Sequence, residues 1–154
     1  MVNAEIMQMV KCKKLFWPSS MINGKDSISF RELSSIEESS FRSNFGINDA
    51  EELIYCRETS CNNKRNQGIV VTDWGVHCIP NNDSPERKLE FAWAWIENVV
   101  YENGCWLFRR YGEKSDDNYY GVHWSLLSKE NPGREAIDEL TKTLNIFCSL
   151  ATSH

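Results

Sequence analysis

The chain lacks any apolar run approaching the ~20 residues that cross a bilayer. Its first ten residues carry Glu5 and no basic start leading into a sustained apolar stretch. Neither a transmembrane segment nor a secretory leader is expected, and the protein reads as cytoplasmic. Positive charge is also short, with 17 Lys plus Arg against 22 Asp plus Glu and a net charge of -5. Binding nucleic acid by phosphate neutralisation needs clustered cations. Here the clusters stop at Lys11, Lys13 and Lys14, at Lys64-Arg65 and at Arg109-Arg110, so no nucleic-acid partner is expected. The six cysteines form no CxxC pair and have no histidine at ligand spacing, which excludes zinc fingers and thioredoxin-like redox motifs. A disulfide framework belongs to short secreted chains, so these thiols are read as reduced. No P-loop, GxGxxG, HExxH or GxSxG pattern occurs, and no metal or cofactor is expected.

What is present is a single domain's worth of apolar and aromatic material: 154 residues, 41% apolar, with six Trp, five Tyr and seven Phe. A chain of this length buries roughly 68–70% of its unfolded surface, and no repeat or low-complexity tract divides it. A short helix fits the apolar start at Ile6, Met7, Met9 and Val10. Ser29 followed by Glu32 makes a capping box, and Phe30, Leu33, Ile36 or Glu37, Phe41 and Phe45 recur at helical spacing. This predicts an amphipathic helix over 30–44, ended by Gly46.

Beyond Asn48-Asp49 the period changes to that of strands. Strands are expected over 53–59, 69–72, 76–79, 89–93, 99–101, 105–110 and 119–127. Asp73-Trp74-Gly75, with Gly75 at positive φ, and Asn103-Gly104 serve as hairpin turns. A helical turn is expected at 95–98. Seven strands joined by hairpins imply an antiparallel sheet or barrel. Asn131 as a cap and Pro132 in the first turn then begin a closing helix whose stripe is Ile137, Leu140, Leu144, Phe147, Cys148 and Ala151.

The order of strand hairpins and one closing helix resembles that of pleckstrin-homology-like (PH-like) domains. Two segments carry the likeness to the uncharacterised bacterial PH-like families: Gly68-Ile69-Val70-Val71-Thr72-Asp73-Trp74-Gly75-Val76, and residues 94–104 from Ala94-Trp95-Ile96 to Tyr101-Glu102-Asn103-Gly104. The resemblance covers about residues 50–151. It implies an α+β, mainly β architecture: a seven-stranded antiparallel barrel or sandwich closed by a C-terminal helix. Residues 1–48 form an N-terminal segment with the 30–44 helix, and 49–154 the PH-like domain. PH-like domains that hold phosphoinositides use cations in the loop between the first two strands. That loop has only Lys64 and Arg65 here, and with the acidic balance phosphoinositide binding is disfavoured.

For catalysis, His77 and His123 lie within predicted strands and His154 is terminal. His77 and Cys78 are neighbours that point to opposite faces of a strand, so they make no nucleophile–base pair. Asp49, Glu51 and Glu52, like Asp116 and Asp117, read as solvated charges. Trp95, Trp106 and Trp124 are expected in the core, whereas Trp74 sits at a turn tip, packed back on the sheet or offered to a partner. The expectation is a non-catalytic PH-like module for a protein partner, with Trp74, Lys64 and Arg65 as candidate contacts. The alternatives are a small acidic immunity-type protein that neutralises a toxin by charge steering and a cysteine-dependent enzyme. Oligomeric state is not legible.

Overall fold

The computed structural model describes residues 4–12, 27–29, 33–59, 67–80, 88–112 and 118–152. The seven expected strands are all present: β2 (Leu53–Glu58), β3 (Gly68–Thr72), β4 (Gly75–Ile79), β5 (Leu89–Ala92), β6 (Ile96–Glu102), β7 (Cys105–Arg110) and β8 (Tyr119–His123). A three-residue strand, β1 (Ser27–Ser29), is added to the edge of β2. All described pairings are antiparallel. They make two sheets, β1-β2-β3-β4-β5 and β6-β7-β8, and not one closed barrel. Three α-helices accompany them among the described residues: α1 (Ala4–Lys11), α2 (Ser35–Phe45) and α3 (Arg134–Thr152).

The turns follow from their residues. Asn103 (φ 52°) and Gly104 (φ 81°) both take positive φ, the geometry that lets a two-residue hairpin match strand twist. The other hairpin turn is the pair Asp73-Trp74, since Val71 pairs with Val76. Gly75 does not take the expected positive φ there. Its requirement is close approach: a Cβ would stand 2.0 Å from the Phe91 carbonyl oxygen of β5.

The α2 helix starts five residues later than the sequence suggested. Ser34, not Ser29, is its N-cap, and Glu37, not Glu32, completes the capping box. Gly46 ends it in the left-handed conformation, with its N–H bonded to the Arg42 carbonyl. Phe41 and Phe45 face inward while Ile36 is almost fully exposed, because the face is chosen by what those two rings bury against. That surface is the outer side of the first sheet, where Phe41, Phe45, Ile47, Leu53, Cys56 and Val70 form a compact cluster.

The main core lies between the sheets and α3. Ile69, Val71, Val76, Cys78 and Phe91 from one sheet meet Val99, Trp106, Phe108 and Val122 from the other. Leu140, Leu144, Phe147 and Cys148 of α3 close it, with Ile137 and Ala151 partly buried at the margin. The helix starts at Arg134, so Pro132 lies before its first turn, and the Gly133 carbonyl accepts the Ile137 N–H. Asn145 fastens α3 to β6 by bonding both the N–H (2.9 Å) and the carbonyl (2.8 Å) of Val99. Ile6 and Met7 of α1 are fully buried in the same core.

Two short 3-10 turns replace predicted structure. One spans Trp93–Trp95, earlier than the helical turn expected at 95–98, and the other, Trp124–Leu126, ends β8 before its expected limit.

Candidate functional site

The most chemically distinctive cluster sits beside the Asp73-Trp74 turn, where β3, β4, β5 and the segment before β2 converge. His77 is central to β4, opposite Val70 on β3 and Glu90 on β5. Its ring is fully buried (0% exposed), on the sheet face away from the Cys78 thiol, as strand alternation requires. The His77 Nε2 lies 2.7 Å from Glu51 Oε1. The same carboxylate oxygen accepts from Thr72 Oγ1 at 2.6 Å, and Oε2 accepts the Asn48 N–H at 3.2 Å.

An ionised carboxylate only accepts, so Nε2 carries a proton. The Thr72 hydroxyl, which already accepts the N–H groups of Trp74 and Gly75, spends its own hydrogen on Glu51. Burial alone pushes the Glu51 carboxyl up. The hydrogen bonds from His77 and Thr72, the charge of His77 and the Asn48 N–H together hold it below its ordinary value. The sequence reading of Glu51 as a solvated charge is therefore corrected: it is buried, whereas its neighbour Asp49 is exposed. The buried cost of that charge is met by three donors.

The other ring nitrogen is different. His77 Nδ1 is buried and makes no hydrogen bond. Glu90 Oε1 stands 3.3 Å away without hydrogen-bond alignment. The indole of Trp74 covers the imidazole, with centroids 5.2 Å apart and planes inclined by 30°. Trp95 meets Trp74 edge to face at 5.6 Å and 82°. Trp95, expected in the core, is 48% exposed; the fully buried indole is that of Trp93, whose Nε1 donates to the Thr72 carbonyl at 2.9 Å. The backbone binds these turns together through Trp93 N–H to Trp74 O (3.0 Å) and Tyr111 N–H to Trp95 O (3.2 Å). Tyr111 is 53% exposed beside them.

The result is an aromatic corner of Trp74 and Trp95 beside the Glu51–Thr72–His77 knot. Trp74 is placed as the sequence suggested, at a turn tip and packed back on the sheet. Lys64 and Arg65 lie outside the described residues, as do Cys61 and His154.

A separate cleft of about 310 Å³ is lined by residues that include Arg57, Thr59, Gln67 and Ser125. The Arg57 guanidinium is spent partly on the Ser125 carbonyl, and the Thr59 hydroxyl is buried without a hydrogen-bond partner.

Two of the described thiols are held protonated by their surroundings. Burial pushes Cys78 and Cys148 up to about 12, and a thiol so protonated is inert. His123 bonds the Ser125 hydroxyl and N–H at the end of β8, a local cap. Among the described residues no group of three or more His, Cys, Asp or Glu side chains is placed to hold a metal ion. No helix of the described residues is long and apolar enough to cross a membrane.

Sequence reasoning missed Glu51, Thr72, Glu90 and Trp95. Only Thr72 left a signal, a hydroxyl one residue before a two-residue turn, where it can accept the turn's N–H groups. No protein-family model matches this chain, and no match was found among curated proteins or solved structures.

Proposed function

We propose that the protein is a non-catalytic binding module of PH-like type that holds a protein partner at the Trp74–Trp95 corner. One observation carries this reading: an indole 48% exposed stands at right angles on a second indole, beside a buried carboxylate that accepts three hydrogen bonds. Tryptophan is the residue most enriched among interface hot spots, and a rigid, pre-positioned ring loses little freedom on binding. Four strands, β2 to β5, facing three, β6 to β8, with one helix after them support the PH-like assignment. The net charge of -5 favours a basic partner by steering. The same charge supports the second reading, an immunity-type protein that neutralises a basic toxin.

The test is affinity capture of partners from the native host with wild-type protein, Trp95→Ala, and Lys64→Ala/Arg65→Ala. Loss of an interface hot spot weakens binding by about 2 kcal/mol or more, roughly thirtyfold. The partner should therefore be retained by the Lys64/Arg65 variant and lost by Trp95→Ala. A partner that Trp95→Ala retains undiminished removes the corner as the contact surface.

A further inference from the structure

We propose that His77 is a proton-operated support for the aromatic corner: a proton on Nδ1 draws Glu90 onto the ring and tightens the seat of Trp74, and its loss releases both. The argument starts from an asymmetry in the ring's surroundings. Nε2 is satisfied by Glu51 at 2.7 Å. Nδ1 is buried and makes no hydrogen bond, yet a carboxylate oxygen of Glu90 is 3.3 Å away. A neutral ring with its hydrogen on Nε2 turns the Nδ1 lone pair toward that carboxylate, which repels it. A protonated ring offers an N–H at the same place, and a small rotation of Glu90 completes a charge-assisted hydrogen bond.

Glu90 is free to make that choice. Its side chain is 44% exposed, and Lys88 Nζ lies 3.9 Å from its other oxygen, so water and an ammonium are the alternative partners. The remaining charges around the ring are already committed. Arg42 of α2 donates to the Glu51 carbonyl (2.7 Å) and the Asn48 carbonyl (3.0 Å) and pairs with Glu38. The Asp73 carboxylate accepts the Glu52 N–H, and Glu52 pairs with Lys11 of α1 at 3.6 Å. Both groups in contact with the ring nitrogens are thus carboxylates. Against the ring lies Trp74, its plane tilted by 30°, and an indole attracts a cationic imidazolium more strongly than a neutral imidazole. The proton is therefore felt on two sides at once, by Glu90 at the edge and by Trp74 on the face. The linkage rests on this geometry alone and stands whether or not the corner binds a partner.

The experiment is an NMR titration of the whole protein across roughly pH 5 to 8, where histidine changes charge. It follows the His77 ring nitrogens and the Trp74 indole N–H, the latter assigned by its disappearance in Trp74→Phe. In wild type the two signals should move together with one midpoint. In Glu90→Gln, a half-exposed site where the fold tolerates exchange, the ring loses the carboxylate that favours its proton, so the shared midpoint should move to lower pH. Three outcomes overturn the proposal: a His77 ring that does not titrate in this range, a Trp74 signal that stays still while His77 titrates, or a shared midpoint unchanged in Glu90→Gln.

Discussion

Glu51 shows how much one side chain can hold in place. Its carboxylate accepts from His77, Thr72 and Asn48, and hydrogen bonds to a buried charge contribute about 1.5–3 kcal/mol. Glu51→Gln, which keeps the shape but lacks the charge, should cost about 2 kcal/mol in urea unfolding. Because the folded carboxyl is held below its ordinary 4.5, its contribution is present above pH 4.5 and is lost as pH falls through the lower folded value. Wild-type stability should therefore drop on acidification in a step that Glu51→Gln lacks. Two neighbouring tryptophans give a second comparison at this scale. Trp93→Ala empties a fully buried site and should cost about 3–5 kcal/mol; Trp95→Ala, half exposed, should cost well under half of that, both read from denaturant midpoints. The sequence puts Trp95 in the core and gives Trp93 no role; the 3-10 turn over Trp93–Trp95 buries the first indole and leaves the second half exposed. Glu51 is equally opaque: it is acidic, in a polar segment, and its two side-chain partners lie 21 and 26 positions away.

Elements were more legible than sites, for reasons visible in particular residues. Asn103-Gly104 specified its hairpin because positive φ at both positions suits few other pairs. All seven strands between 53 and 123 were found because each ran between turn residues. The α2 helix was placed five residues early because Ser29-x-x-Glu32 and Ser34-x-x-Glu37 are both capping boxes on paper. The choice between them is made by Phe41 and Phe45 burying against the sheet, which local sequence does not record. Ser34→Ala should accordingly destabilise the protein by about 1 kcal/mol, read from the thermal midpoint. Gly75→Ala brings a Cβ to 2.0 Å from a β5 carbonyl oxygen, a backbone clash that no rotamer relieves. It should cost about 3 kcal/mol or more and expose Cys78 to alkylation as β4 and β5 part.

Across the whole molecule, β2 to β4 are covered on both faces and the second sheet chiefly on one. Burial is unbroken along β2 and β3 and nearly so along β4, but is broken by exposed positions along β6 and alternates over the first four residues of β7. The two-sided cover explains why His77, read from sequence as an ordinary strand-face residue, has no access to water: α2 and its cluster lie over the face that strand periodicity alone would leave wet. Cys56, Cys78 and Cys148 sit inside this body, so mass spectrometry after brief alkylation should find Cys12 labelled and those three labelled only on unfolding. The double cover also divides the molecule in time. Amide hydrogens along β2 to β4 have no outward route that leaves the fold intact, so they should exchange with deuterium only in rare global openings, while β8 and the outer margin of its sheet exchange through cheaper local ones. The slowest-breathing part of the protein is then the platform beneath the aromatic corner, and the corner inherits that stillness.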